Sequence, residues 1–499
     1  MVDTSAAGNL HLTSGRLLAR NTIWNLLGQI IPIFAGIVTI PIIVRGLGVE
    51  RFGILSLAWV VVGYFSLFDL GIGRALTKFV ADKLGAGEVH EIPSLAWTAL
   101  LLMFVLGVVG TLIIAVISPW LVYHALKVSQ PLQPETLRGF YWLAASIPIV
   151  TTTAGFRGLL EALQRFRVVN MIRIPMSIFS FVAPVLVLPF SHSLVPVLGT
   201  LVAARFVGCG VHVWACFRAM PTLYASCSLK RSAVMPLAKF GGWMTVNNVV
   251  GPLLSYIDRF LVGALTSITS LAYYTTPVDA VLRLTVIPGA VVGVLFPAFA
   301  MSIGQDVGRA GVLLSRGVKY IFLVIFPLVL IIVTFAPEGL RLWLGPTFSQ
   351  NGAAVLRLAA AGVFVNAIAV LPFNLIQSAG RPDLTAWLIT IELPLYWAAL
   401  WFFTRRMGIE GTAIVWASRM ILEGMVIFLM SQRLLPQSRK FLSRLGTAIA
   451  GGLVILYCGG AIQITSVKVI FVAVILAIFG IAGWYWGLLP AEREYLARY

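Results

Sequence analysis

Charge is what this chain has least of. Only 11% of its 499 residues are Asp, Glu, Lys or Arg, while 59% are hydrophobic. That balance leaves too little polar surface to cover a soluble domain of this length, so the chain reads as a polytopic membrane protein. Carboxylates are scarcer than bases, 18 against 36 Lys and Arg, for a net charge of +18. In a soluble protein such an excess would point to nucleic acid. No basic stretch here is long enough to form a binding module, and cytoplasmic loops enriched in Lys and Arg account for the charge, so nucleic acid is not an expected partner. The four cysteines, Cys209, Cys216, Cys227 and Cys458, show neither ligand spacing nor pairing logic. Cys209 and Cys216 fall on one apolar helix as small buried hydrophobes, and neither a disulfide nor a metal is expected. A Gly-x4-Gly-Lys-Ser/Thr phosphate loop, a His-Glu-x-x-His pair and a Gly-x-Ser-x-Gly elbow are all missing. The chain is therefore not expected to hydrolyse nucleotide as a transport ATPase does, nor to be an enzyme.

What is present is a succession of apolar runs. The first, Asn21 to Val44, carries no charge and exceeds the ~20 residues that cross a ~30 Å hydrocarbon layer. It is too long for a signal-peptide core and is expected to stay in the mature protein. Fourteen such segments follow in order: 21–44, 54–82, 94–118, 140–163, 168–190, 194–217, 239–262, 271–300, 313–336, 354–378, 384–404, 411–432, 445–464 and 467–489. No connection between them could hold a folded extramembrane domain. With the N-terminus in the cytoplasm, 23 of the 36 Lys and Arg lie at or near that side, 8 lie on the other and 5 lie inside spans. The positive-inside rule therefore expects both termini to be cytoplasmic.

A faint repeat divides the spans. A shift of 217 lays Gly46 of the first hairpin on Gly263 after the seventh span, and a shift of 216 lays Leu160–Arg165 on Ile376–Arg381, each copy at the cytoplasmic end of the fourth span of its six-span unit. The expected fold is all-α, with two six-helix halves around a central cavity and two further C-terminal helices. In residues, the expected parts are a cytoplasmic tail (1–20), one bundle (21–217), a cytoplasmic linker (218–238), a second bundle (239–432), two added helices (433–489) and a cytoplasmic tail (490–499). Pro32 and Pro252 occupy corresponding first spans of the two halves. Paired interruptions of this kind point to a transport site, which makes both prolines candidate hinges.

Charges inside spans are expensive and are functional candidates. Three pairs neutralise themselves at helical spacing: Arg157 with Glu161, Asp279 with Arg283, and Arg419 with Glu423. Asp69, Arg74 and Lys78 sit in the later half of the second span, Arg205 midway along the sixth, Asp258 and Arg259 in the seventh, Arg357 in the tenth and Glu392 in the eleventh. None of these has a local partner that settles it. The bases outnumber the acids by five to three, and guanidinium groups match phosphate oxygens and stay charged when buried. Arg74, Arg205 and Arg259 are expected to line the cavity and, with Lys78, to bind the substrate. Asp69 is expected to orient Arg74 or bind a coupling ion, and Asp258, whose side chain diverges from that of its neighbour Arg259, to serve in coupling or in orienting another group. Glu392, beside Pro394 and without a cation on its own helix, is expected to be neutral when buried and able to carry a coupling proton. Each of these charges could instead hold the bundle together.

One family resemblance gathers these features. The run Leu47-Gly48-Val49-Glu50-Arg51-Phe52-Gly53, followed by Tyr64, Phe68-Asp69-Leu70-Gly71-Ile72-Gly73 and Thr77-Lys78-Phe79-Val80-Ala81, resembles the N-terminal signature of bacterial polysaccharide flippases. These are the Wzx-type transporters of the multidrug/oligosaccharidyl-lipid/polysaccharide exporter (MOP) superfamily. Tyr256–Gly263 resembles the family's seventh span. The resemblance implies a flippase of the bacterial inner membrane for undecaprenyl-pyrophosphate-linked oligosaccharide, working by alternating access, driven by H+ or Na+, with no cofactor and with a polysaccharide polymerase as a candidate partner. Two other readings stand beside it: a multidrug or cation antiporter of the related branch, and a membrane-embedded glycan-processing enzyme.

Overall fold

The computed structural model describes residues 15–64, 68, 70–163, 165–225, 228–292, 295, 299, 307–379, 381–435 and 439–483. No strand occurs among the described residues. In hydrocarbon every backbone N–H and C=O must be satisfied within the chain, and a helix does this inside one segment. The helices are α1 (Gly15–Leu47), α2 (Val49–Tyr64), α3 (Ile72–Gly85), α4 (Ile92–Trp120), α5 (Gln133–Ala145), α6 (Ile147–Ala162), α7 (Phe166–Val187) and α8 (Leu194–Ala219). They are followed by α9 (Arg231–Leu265), α10 (Ile268–Leu282), α11 (Val307–Thr334), α12 (Ala336–Leu344), α13 (Pro346–Ser378), α14 (Pro382–Leu434), α15 (Arg439–Ala461) and α16 (Thr465–Ala482). Within α14, Gly408 takes φ 61° and ψ −140°, which separates two helical arms and matches the eleventh and twelfth expected spans. Ten helices among the described residues are long and apolar enough to cross a membrane.

Two compact units divide the chain, Met1–Ala272 and Tyr273–Tyr499. The seventh span, α9, is thus counted with the first six.

The first unit is built on close approach of small residues, the usual device where lipid removes any hydrophobic drive between helices. A Cβ on Gly107 would fall 2.5 Å from the Pro148 Cα, and one on Gly158 would fall 2.6 Å from Thr77 Oγ1 and 3.0 Å from the Gly73 carbonyl. Polar side chains bond across the same contacts: Thr151 donates to the Met103 carbonyl (3.0 Å), Thr111 to the Ala144 carbonyl (2.7 Å) and the Cys216 thiol to the Phe156 carbonyl (3.2 Å). Ile72, Leu76, Ala96, Leu100, Met103 and Leu159 close the core between them. The fourth span kinks at Ser146 because Pro148, in the first turn of α6, has no N–H to continue the ladder.

Ionic collars mark the two ends of this unit. At one, Glu135 accepts from Arg51 (3.3 Å), from Ser193 Oγ (2.7 Å) and from the Leu194 N–H, tying the first hairpin to the start of α8. At the other, Lys83 pairs with Glu88 and Glu91, and Lys230 reaches Glu91 at 3.0 Å. The Glu88 and Glu91 carboxylates hold the Lys83 ammonium above the ordinary lysine range.

In the second unit α13 is central and α16 peripheral: 67% of the apolar window of α13 is buried, against 11% for α16. Gly362 receives Trp416, and Gly424 receives Val365, where the second arm of α14 lies against α13.

Candidate functional site

The second span differs from its expected form. The apolar run 54–82 reads as one helix, but α3 begins only at Ile72. Just before it Leu70 (φ 46°) and Gly71 (φ 73°) both adopt the left-handed region. Two successive residues there turn the chain out of the α-helix, and glycine takes this conformation without the strain a Cβ brings. The break falls inside the Phe68–Gly73 run. It places the N-terminus of a 14-residue helix, with Arg74 in its first turn, partway along what would otherwise be a single span. Hydropathy could not reveal it. Gly71 and Gly73, two residues apart beside Asp69, were the available signal. Asp69 itself lies outside the described residues.

Arg74 and Lys78 are exposed, and with Leu70, Ala81 and Asp82 they form one stripe along α3. The opposite face of α3, with Ala75, Leu76 and Val80, is buried in the core. Arg157, on the neighbouring α6, makes its expected pair with Glu161 at 3.7 Å.

Arg205 occupies the middle of α8, twelve residues beyond Ser193, or ~18 Å along the axis. Its Nε is buried, and its side chain makes no hydrogen bond or ion pair among the described residues. An arginine so placed in a membrane span is costly unless something anionic meets it.

Asp258 and Arg259 are both buried in α9. Asp258 Oδ1 accepts the Arg259 N–H at 2.9 Å, and the Arg259 guanidinium lies over the Tyr256 ring, 4.9 Å from its centre. The candidate hinges do not interrupt their helices: α1 runs on through Pro32 and α9 through Pro252. The Pro252 side chain lies outside those described.

Glu392 requires a correction. It is not without a cation, because Arg419 Nε donates to its Oε1 at 2.8 Å while Arg419 Nη2 donates to Glu423 at 3.3 Å. The turn at Gly408 folds the two arms of α14 so that a residue 27 positions away completes the site, a pairing that i, i+4 spacing cannot show. Arg419 also lies over the Tyr396 ring at 5.0 Å. The three charged side chains are 9–14% exposed. Glu392 Oε2 is buried and accepts no hydrogen bond among the described residues. Two carboxyls around one guanidinium would carry one uncompensated negative charge if all three were ionised. A single bound proton makes the cluster neutral.

The structure thus brings Glu392, Arg419 and Glu423 together and gives the Arg205 side chain no partner among the described residues. Arg74 and Lys78 stand on one open stripe.

Known proteins share both the sequence and the fold. The sequence pattern of the family described as "Polysaccharide biosynthesis protein" matches residues 18–303. A Shigella flexneri protein named "Putative O-antigen transporter" is 28% identical over 417 residues, covering 82% of this chain and 96% of its own length. Among solved structures, the lipid II flippase MurJ in an inward closed conformation aligns with a TM-score of 0.69 at 11% identity, covering 93% of this chain and 98% of that one. An inward-facing multidrug resistance MATE family transporter of the MOP superfamily aligns with a TM-score of 0.68 at 15% identity, covering 84% and 96%. The family pattern spans more than half of the 499 residues, and the chain belongs to the polysaccharide biosynthesis protein family, with the fold of the MOP-superfamily transporters.

Proposed function

We propose that this protein is a flippase that moves an undecaprenyl-pyrophosphate-linked oligosaccharide from the cytoplasmic to the periplasmic leaflet of the bacterial inner membrane, with both termini cytoplasmic. The relative from Shigella flexneri supports a cargo of surface polysaccharide, and the lipid II flippase of like fold supports a lipid-linked one. A pyrophosphate and a sugar chain cannot cross hydrocarbon unaided, since each unpaired polar group there costs several kcal/mol. The observation that carries the reading is Arg205, a mid-span arginine whose Nε is buried and which no carboxylate neutralises among the described residues. A drug or cation antiporter would instead need an unneutralised acid at such a place.

Arg74, in the first turn of the broken helix, and Lys78 one turn further on add a second basic surface. Helix N-termini favour anions, and broken membrane helices aim them at anionic substrate groups. Arg259 is the third proposed phosphate ligand, with Asp258 beside it and Asp69 orienting Arg74. Transport is proposed to proceed by alternating access, with Pro32 and Pro252 as flexion points. The coupling ion is assigned to the Glu392 cluster as H+, because a carboxyl there neutralises the site by holding one.

The test is accumulation in cells. Arg205→Ala, with folded protein retained in the membrane, is expected to leave complete lipid-linked oligosaccharides stranded on the cytoplasmic face, and Arg205→Lys to restore part of the flux. An altered glycan structure would assign the protein to glycan processing. Unchanged export would remove Arg205 from the site.

A further inference from the structure

The two last helices form a hairpin, and its two ends are held differently. Near the connecting turn the hairpin is clamped: Lys468, 2% exposed, donates to Glu338 Oε1 at 2.7 Å. A Cβ on Gly459 would come within 2.6 Å of Thr334 Oγ1 and 3.0 Å of the Phe471 ring. Away from that turn a cavity of about 740 Å³ lies between the three helices, lined by α11 from Lys319 to Phe326, by α15 from Phe441 to Ile455, and by α16 from Ile475 to Ala482 with Gly483 just beyond it. This lies within the ~300–1,000 Å³ typical of small-molecule sites. Its floor is aromatic. Phe322 and Phe326 stack at 5.8 Å with planes 2° apart, and Phe479 lies 4.8 Å from Phe326.

Charge is confined to one end of this cavity. Lys319 and Arg444 both line it, and no acid among the described residues does. Measured along their helices from the clamped end, Lys319 is 15 residues from Thr334 and Arg444 is 17 from Ala461, or ~22 and ~26 Å at 1.5 Å per residue. Both therefore stand near the boundary of a ~30 Å hydrocarbon layer while the phenylalanines stand inside it. The Arg444 side chain is exposed and makes no ion pair or hydrogen bond among the described residues. An apolar slot with two cations at head-group depth is complementary to one kind of molecule in its surroundings, an anionic phospholipid.

We propose that the cavity between α11, α15 and α16 binds an anionic diacyl phospholipid, with its phosphate between Lys319 and Arg444 and its acyl chains along the Phe322–Phe326–Phe479 floor. The site is separate from the transport reading and holds whatever the protein carries. The bound lipid fills the slot between α11, α15 and α16 and so completes the packing of these three helices.

The experiment uses the full chain reconstituted in vesicles of phosphatidylethanolamine and phosphatidylglycerol, extracted gently and weighed by native mass spectrometry. Wild-type protein is expected to retain phosphatidylglycerol in preference to phosphatidylethanolamine. Lys319→Gln with Arg444→Gln should lower that preference by about thirtyfold, the scale expected for two interfacial cations. Gly451 lines the slot, and a Cβ there meets nothing within 4 Å. Gly451→Leu should therefore fill the slot without a clash and reduce retention of both lipids, which keeps the proposal testable if the charge variant fails to fold. Equal retention of the two lipids by wild-type protein overturns the proposal, as does phosphatidylglycerol retention unmoved by both variants. Added polyprenyl phosphate that displaces phosphatidylglycerol from wild-type protein overturns it in favour of the substrate tail.

Discussion

Arg419 is shared by two carboxyls, and the sharing fixes what each substitution does. Replacing Arg419 with Met strands Glu392 and Glu423 together in a buried place, and breaking such a pair from the cationic side costs about 3–5 kcal/mol. Glu392→Gln should cost under about 1 kcal/mol, since its amide oxygen still accepts from Arg419 Nε and Glu423 still balances the charge. The same variant should flatten the pH dependence of transport. Thermal unfolding in detergent and transport across a pH series check both arms, and a Glu392→Gln protein with an unaltered pH profile would remove the coupling role. Sequence spacing showed only part of this cluster. Arg157–Glu161 and Arg419–Glu423 were legible because helical periodicity puts i and i+4 on one face. Glu392 looked solitary because its partner sits beyond the Gly408 turn, and a contact across a turn leaves no mark on local spacing.

At the scale of an element, the broken second span was the least legible feature. Window hydropathy runs through 54–82 without a gap, and the break rests on backbone angles at Leu70 and Gly71. A side chain at Gly71 would occupy φ 73°, where L-residues lose roughly 1–2 kcal/mol and β-branched ones more. Gly71→Ala is therefore expected to lower stability by about 1 kcal/mol and Gly71→Val by about 2 kcal/mol. Both should reduce transport more than they reduce folded protein, because they redirect the first turn of α3 and the Arg74 it carries. Melting temperature measured beside flux separates the two effects. If Gly71→Val transports normally, the break is a packing feature and not part of the path. Strong apolar runs were the most legible: α4, α7 and α8 begin and end within three residues of the expected 94–118, 168–190 and 194–217, whereas α13 starts eight residues before the expected 354. The fourth span again hid its structure, since Pro148 could be read as tolerated proline until Ser146 showed the kink.

For the whole molecule, composition pointed to the class, which the all-helical fold bears out, and charge asymmetry to an expected orientation, which the fold by itself does not fix. The first unit offers a direct way to test orientation. Helix α4 runs 29 residues from Ile92 to Trp120, ~43 Å, so it carries the chain from the collar of Lys83, Glu91 and Lys230 to the collar of Arg51 and Glu135. Gln130 is exposed just before α5, beside the second collar, and Ser228 is exposed just before Lys230, beside the first. With 23 basic residues expected on the cytoplasmic side against 8 opposite, a cysteine at Gln130 should react with an impermeant maleimide added outside the cell membrane. A cysteine at Ser228 should react only after permeabilisation. Native cysteines must first be replaced, above all the exposed Cys458, and Cys216 is best replaced by Ala to keep its small volume in the core. Labelling of both sites from one side would contradict the span order through α4. Labelling of Ser228 from outside and Gln130 only from within would invert the molecule, and would make Arg74 and Lys78 receive cargo on the periplasmic face instead of the cytoplasmic one.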